Sequence, residues 1–112
     1  PYPILPEKVP IYLSSCDLLI HVSWREGSPN LIKEAMACNI PIVSTDVGDV
    51  KKVFGNTDGC FITEFEKNDL SKKIDLALKY DKRTKGRKSI KHLDINLIAD
   101  KIIKLYKRVL ER

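Results

Sequence analysis

One run constrains the fold of this chain more than any other: Arg25-Glu26-Gly27-Ser28-Pro29-Asn30-Leu31-Ile32-Lys33-Glu34-Ala35-Met36-Ala37-Cys38-Asn39-Ile40-Pro41. Ser28 can cap a helix with its hydroxyl, and Pro29 suits the first helical position, where no N–H is required. Leu31, Ile32, Ala35, Met36 and Cys38 make the helix apolar over much of its circumference, as befits a helix laid on a sheet. Asn39 tolerates a left-handed cap and Pro41 forbids continuation, so the helix is expected to stop at about Cys38. Two acids stand out against this background. Glu26 precedes the helix start, where free amides and the helix dipole favour anions, and Glu34 interrupts an otherwise apolar helix.

The flanks turn this helix into a βαβ unit. Leu18 to Ser23 is apolar on both alternations and too short for a helix, which predicts a buried parallel strand, and Ile40 to Ser44 repeats the pattern. Upstream, Pro1 to Pro10 is expected to be extended, with a short helix over Glu7 to Ser15 that holds Pro10 in its first turn. Downstream, Val50 to Phe54 predicts a helical turn, Gly55 to Gly59 a loop and Cys60 to Thr63 a third strand. A helix capped by Asn68 or Asp69 follows, then a polar stretch from Asp81 that Gly86 breaks or ends. A last helix, capped by Asp94 or Asn96 and running over about 96–110, carries Leu97, Ile98, Ile102, Leu105, Tyr106 and Val109 on one face.

Charge is unevenly spread: residues 1–66 carry five basic residues against nine acidic ones, residues 67–112 fifteen against six. The stretch from Lys82 to Lys88 has no aromatic residues for stacking on bases, so solvated helix faces are the favoured reading and nucleic acid is not an expected partner. Cys16, Cys38 and Cys60 fit neither a disulfide framework nor a zinc site and are read as small core residues. No run reaches the roughly 18 apolar residues that span a bilayer, and Pro1 to Pro6 lacks the regions of a signal peptide, which leaves a cytoplasmic location as the expectation.

The fold class is therefore α/β, a partial Rossmann-like arrangement with a small parallel sheet flanked by helices. Three strands make a small sheet. Residues 1–112 are accordingly read as the C-terminal part of a larger protein that begins inside a Rossmann-like domain, and the apolar stripe of the last helix as the mark of a missing partner.

At the Glu26–Pro41 run the chain resembles the C-terminal, donor-binding domain of GT-B glycosyltransferases, in particular the retaining enzymes of family 4. Glu26, Gly27, Pro29, Glu34, Ala35, Ala37, Pro41, Val43, Thr45 and Gly48 match that family's motif in register, while Asn39 and Asp49 stand where it has glycine. The resemblance implies a nucleotide-diphosphate-sugar donor and a glycan or lipid-linked acceptor, with no cofactor and no metal; it makes residues 1–112 the C-terminal part of a nucleotide-sugar-binding domain, whose last helix, about 96–110, is expected to pack on an N-terminal domain. It implies that Glu26, the catalytic-site carboxylate, contacts hydroxyls of the transferred sugar and that Glu34 binds the ribose hydroxyls.

The chemistry of the residues agrees, because a carboxylate only accepts hydrogen bonds and suits a vicinal diol. The segment Gly27, Ser28, Pro29, Asn30 and Leu31 lies at a helix start suited to a diphosphate, with Gly27 allowing close approach. The family's Arg and Lys that neutralise the leaving diphosphate fall outside these residues, so the 112-residue chain alone is expected to be inactive. Its basic C-terminal helices suit peripheral contact with a membrane at its inner face. The alternatives are a nucleotide-sugar binding module without chemistry and, less favoured, a basic nucleic-acid interaction domain.

Overall fold

A computed structural model describes residues 3–112; Pro1 and Tyr2, part of the expected extended start, lie outside the described residues. A 3-10 turn at Pro6–Lys8 leads into α1 (Val9–Ser14), with Pro10 in its first turn. Then follow β1 (Leu19–His21), α2 (Asn30–Ala37), β2 (Ile42–Thr45), α3 (Val50–Phe54) and β3 (Cys60–Thr63). The chain ends in α4 (Lys67–Tyr80), α5 (Gly86–Ser89), a second 3-10 turn at Lys91–Leu93, and α6 (Ile95–Leu110).

The three strands form one parallel sheet in the order β1-β2-β3, with Leu19 opposite Ile42 and Ile42 opposite Cys60. β2 is central and buried at all of its residues, as a strand covered on both faces requires. The expected burial of β1 is not observed: it is shorter than Leu18 to Ser23, and Ile20 on this edge strand is 46% exposed. The ladder stops at His21 because the backbone N–H and C=O of Ser23 are both taken by the Thr45 hydroxyl, at 3.1 and 2.8 Å.

The core packs Ile32, Ala35 and Met36 of α2 against Ile42, Val47, Val50, Phe54 and Leu13. α2 ends as expected at Cys38, with Asn39 left-handed at φ 56°. The polar stretch from Asp81, which could have been a short helix that Gly86 breaks or ends, is not helical before Gly86. Gly86 opens α5 and is buried there against α2, so closely that a Cβ would lie 2.7 Å from the Met36 carbonyl oxygen. The cap of α4 also differs from expectation. Glu66 accepts from the amides of Asn68 and Asp69, while the Asp69 carboxylate turns back to the Glu64 amide at 2.8 Å. Asp94 caps α6 through the Asn96 amide, as expected.

Part of the basic charge has a structural use. Arg83 donates to the Ser14 carbonyl at the end of α1 and to the Cys16 carbonyl just beyond it, and Arg87 Nε donates to the Ala37 carbonyl at the end of α2. Cations there satisfy last-turn carbonyls and complement the helix dipole. The cysteines do not all lie in the core: Cys16 is exposed, whereas burial pushes the Cys60 thiol up to about 12.

Candidate functional site

The candidate site is built by the turn between β1 and α2, at the carboxyl ends of the parallel strands, where α/β sheets bind ligands. The local geometry of this turn differs from expectation in two places. Ser28 does not cap α2. Pro29 holds the cap position in extended conformation, α2 begins at Asn30, and no side chain caps it. The Ser28 hydroxyl is drawn off instead, donating to Asp49 Oδ2 at 2.6 Å and accepting from the Lys33 ammonium. The steric need for glycine also lies elsewhere. A Cβ on Gly27 would meet nothing within 4 Å, whereas one on left-handed Gly48 would collide with the Gly27 and Glu26 backbone. Gly48 thus lets the loop after β2 close onto the Glu26–Gly27 turn.

Lys33 lies 3.7 Å from Asp49 Oδ2, so the charge that Asp49 brings to the start of α2 is offset by a neighbouring cation. Asp49 Oδ1 is buried and has no partner among the described residues. Lys33 faces Asp49 and Ser28, which leaves Glu34 exposed and without a hydrogen bond or ion pair among the described residues. From the start of α2, Glu34 lies about 6 Å along the axis at ~1.5 Å per residue. Leu31, in the first turn, is 39% exposed beside the uncapped amides.

Glu26 is held differently. Its Oε1 accepts from Ser23 Oγ at 3.2 Å and lies 3.5 Å from His21 Nε2, and the other ring nitrogen of His21 is 3.3 Å from Ser44 Oγ. A histidine inside a strand reads, on sequence alone, as core or sheet packing. The contact with Glu26 depends on where β1 ends, and the signal for it was the five-residue step from His21 to Glu26 across the turn. Arg25 is exposed. Trp24 stacks on Phe65, with ring centroids 3.6 Å apart, and remains 75% exposed. That stack ties the loop after β1 to the loop after β3, above the end of the central strand.

A parallel α/β sheet with two carboxylates and an uncapped helix start at its carboxyl edge defines a class: domains suited to an anionic ligand that also carries hydroxyls. The family is more specific. Residues 3–93 match the model for glycosyl transferases group 1, and the chain belongs to that family. It is 33% identical over 106 residues to an N,N'-diacetylbacillosaminyl-diphospho-undecaprenol alpha-1,3-N-acetylgalactosaminyltransferase from Campylobacter jejuni, covering 88% of this chain and 28% of the relative. It is also 43% identical over 44 residues to a putative teichuronic acid biosynthesis glycosyltransferase, TuaC, from Bacillus subtilis, covering 39% of this chain and 11% of the relative. Similarity to the GPI3 subunit of phosphatidylinositol N-acetylglucosaminyltransferase from Saccharomyces cerevisiae is 28% identity over 100 residues, covering 89% of this chain and 21% of the relative. The chain thus spans between about a tenth and just over a quarter of the length of these relatives. No solved structure matches.

Proposed function

We propose that this chain is the donor-binding part of a retaining GT-B glycosyltransferase of the family 4 type, whose parent transfers a hexosyl-type sugar from a nucleotide-diphosphate sugar. Glu26 takes hydroxyls of the transferred sugar, Glu34 takes the ribose diol, and the amides of Gly27, Ser28, Asn30 and Leu31 face the diphosphate. Pro29 has no amide to give and fixes the turn. One observation carries this reading: Glu26 and Glu34 flank the uncapped start of α2 at the carboxyl edge of the sheet. Unsatisfied amides with the positive end of a helix dipole favour a diphosphate without a metal.

Supporting the acceptor class, the C. jejuni relative is named for a diphospho-undecaprenol substrate and the yeast relative for phosphatidylinositol. A lipid-linked or glycan acceptor, approached with peripheral contact at the inner face of a membrane, follows from that similarity and from the basic C-terminal region. No helix among the described residues is long and apolar enough to cross a membrane. Retention proceeds with the departing diphosphate guiding the acceptor onto the same face of the sugar. Its neutralising cations come from outside these 112 residues, so the chain alone does not transfer sugar. The apolar face of α6 packs on the N-terminal domain of the parent.

Calorimetric titration with UDP, GDP and ADP, free and as their sugars, tests the reading. One nucleotide is expected to bind, and Glu34→Ala is expected to abolish ribose-dependent affinity. Failure of all three to bind, or nucleic-acid binding with a steep salt dependence that ignores Glu34→Ala, would refute it.

A further inference from the structure

The two carboxylates of the site are prepared differently, and the difference lies in a residue outside the motif. Glu26 touches the protein through one oxygen: Oε1 has Ser23 Oγ at 3.2 Å and His21 Nε2 at 3.5 Å, while Oε2 has no partner among the described residues. The ring that faces it is itself fixed. His21 is half-buried on β1, with Nδ1 3.3 Å from the hydroxyl of Ser44, a fully buried residue of the central strand. From this geometry we infer that His21, with Ser23, is a positioning residue for Glu26, and that it makes Oε2 the oxygen presented to the sugar of the donor. The inference rests on the reading of Glu26 as the sugar-binding carboxylate.

The chemistry of the ring supports it. A bare nitrogen lone pair on Nε2 would repel the carboxylate, so the facing Oε1 favours the ring states that carry a proton on Nε2. Both protonation states of the ring allow this. In the neutral form the Ser44 hydroxyl serves Nδ1; in the charged form Nδ1 donates to Ser44, whose own proton goes to the Thr45 carbonyl 3.0 Å away. The Ser44 hydroxyl therefore accommodates either state of His21, and Glu26 faces a donor in each. At 3.5 Å the contact is longer than a formed hydrogen bond, and such contacts commonly tighten only when ligand is bound.

A free glutamate in an exposed turn must lose its rotamer freedom when the ligand arrives. Anchoring Oε1 in the folded protein removes that loss from the binding step. A carboxylate has about four acceptor sites, and with Ser23 Oγ and His21 Nε2 both on the Oε1 side the sugar hydroxyls find their open sites at Oε2. Glu34, without partners, offers both oxygens to its diol.

The test compares affinity for a nucleotide sugar with affinity for its free diphosphate, by calorimetry on the 112-residue chain. The probe is whichever of UDP-N-acetylglucosamine, UDP-glucose, GDP-mannose and ADP-glucose binds tightest. His21→Leu is expected to reduce nucleotide-sugar affinity by roughly two- to tenfold, the cost of ordering one side chain on binding, and to leave the free diphosphate within about twofold. His21→Gln, whose amide nitrogen falls near Nε2 of the ring, is expected to restore most of the loss. Ser23→Ala removes the other donor to Oε1 while keeping the backbone atoms that Thr45 binds, so it reports even if His21→Leu unfolds. Equal losses for both ligands would show a merely structural role and overturn the inference. Glu26→Gln separates the two claims. If it abolishes the sugar-dependent gain while His21→Leu and Ser23→Ala do not, only the positioning role fails; if the gain survives Glu26→Gln, the role of Glu26 itself fails and the inference with it.

Discussion

The strand–helix–strand unit from Leu19 to Thr45 and the final helix, Ile95–Leu110, carry equally clear apolar periodicity, yet only the first buries it. Ile32, Met36, Ile42 and Val43 are fully buried, whereas α6 has no buried residue and Ile102, Leu105 and Val109 stay 48 to 58% exposed. Periodicity states which face of a helix seeks a partner, and the sheet supplies one to α2 and not to α6. The difference also separates the roles of the two regions: the packed unit fixes the candidate site, and α6 offers a surface.

The sharpest way to break that contrast is a pair of truncations read by urea denaturation. Ile42→Ala is expected to cost about 2–5 kcal/mol, as large cavities in a packed core do. Ile102→Ala should fall within about 0.5 kcal/mol, as at exposed positions. A comparable loss from Ile102→Ala would show that α6 is docked, contrary to its exposure.

Next in size is the glycine that closes the site. Gly48→Ala combines a left-handed φ of 55° with overlap on the Gly27 backbone, and strain of about 1–3 kcal/mol is expected from the conformation alone. Gly55→Ala, at φ 51° and ψ −125°, is strained as well, but its new methyl would meet only the Lys52 carbonyl oxygen at an ordinary 3.9 Å, so it carries backbone strain without overlap on the site. Nucleotide affinity should fall with Gly48→Ala and not with Gly55→Ala, because only Gly48 supports the Glu26–Gly27 turn.

The smallest effect concerns the rim beyond β3. The Glu64 amide, and then the Thr63 hydroxyl and nearby lysines, hold the Asp69 carboxyl below its ordinary value. A depressed folded value means that its contribution is present above the unfolded carboxylate range and is lost as pH falls through the folded value. Acid titration of stability should therefore be shallower in Asp69→Asn than in the wild type. Identical acid limbs would remove Asp69 from the account of that rim.

Much of the fold was legible. Val50–Phe54 and Cys60–Thr63 form where pattern and turn residues place them, because both the periodicity and the breakers are local. The caps were not legible at Ser28 and at Asn68 or Asp69. Ser28 prefers Asp49, 21 residues away, over its own helix, and Asp69 turns to Glu64 while Glu66 takes the cap. These choices are decided by tertiary neighbours, not by residue type. At the site, the resemblance could name Glu26 and Glu34, but the anchoring of one and the freedom of the other follow from where β1 ends and which way Lys33 points.

The most direct measurement compares UDP with 2′-deoxy-UDP, or the matching pair for whichever base binds, on the wild type and on Glu34→Gln. A carboxylate that grips the ribose diol should make the wild type prefer the ribonucleotide by about 10- to 100-fold, the worth of one hydrogen bond to a charged group. Glu34→Gln should lose most of that preference while still binding the diphosphate. Equal preference in the two proteins would contradict the assignment of Glu34 to the ribose, and with it the donor site proposed at α2.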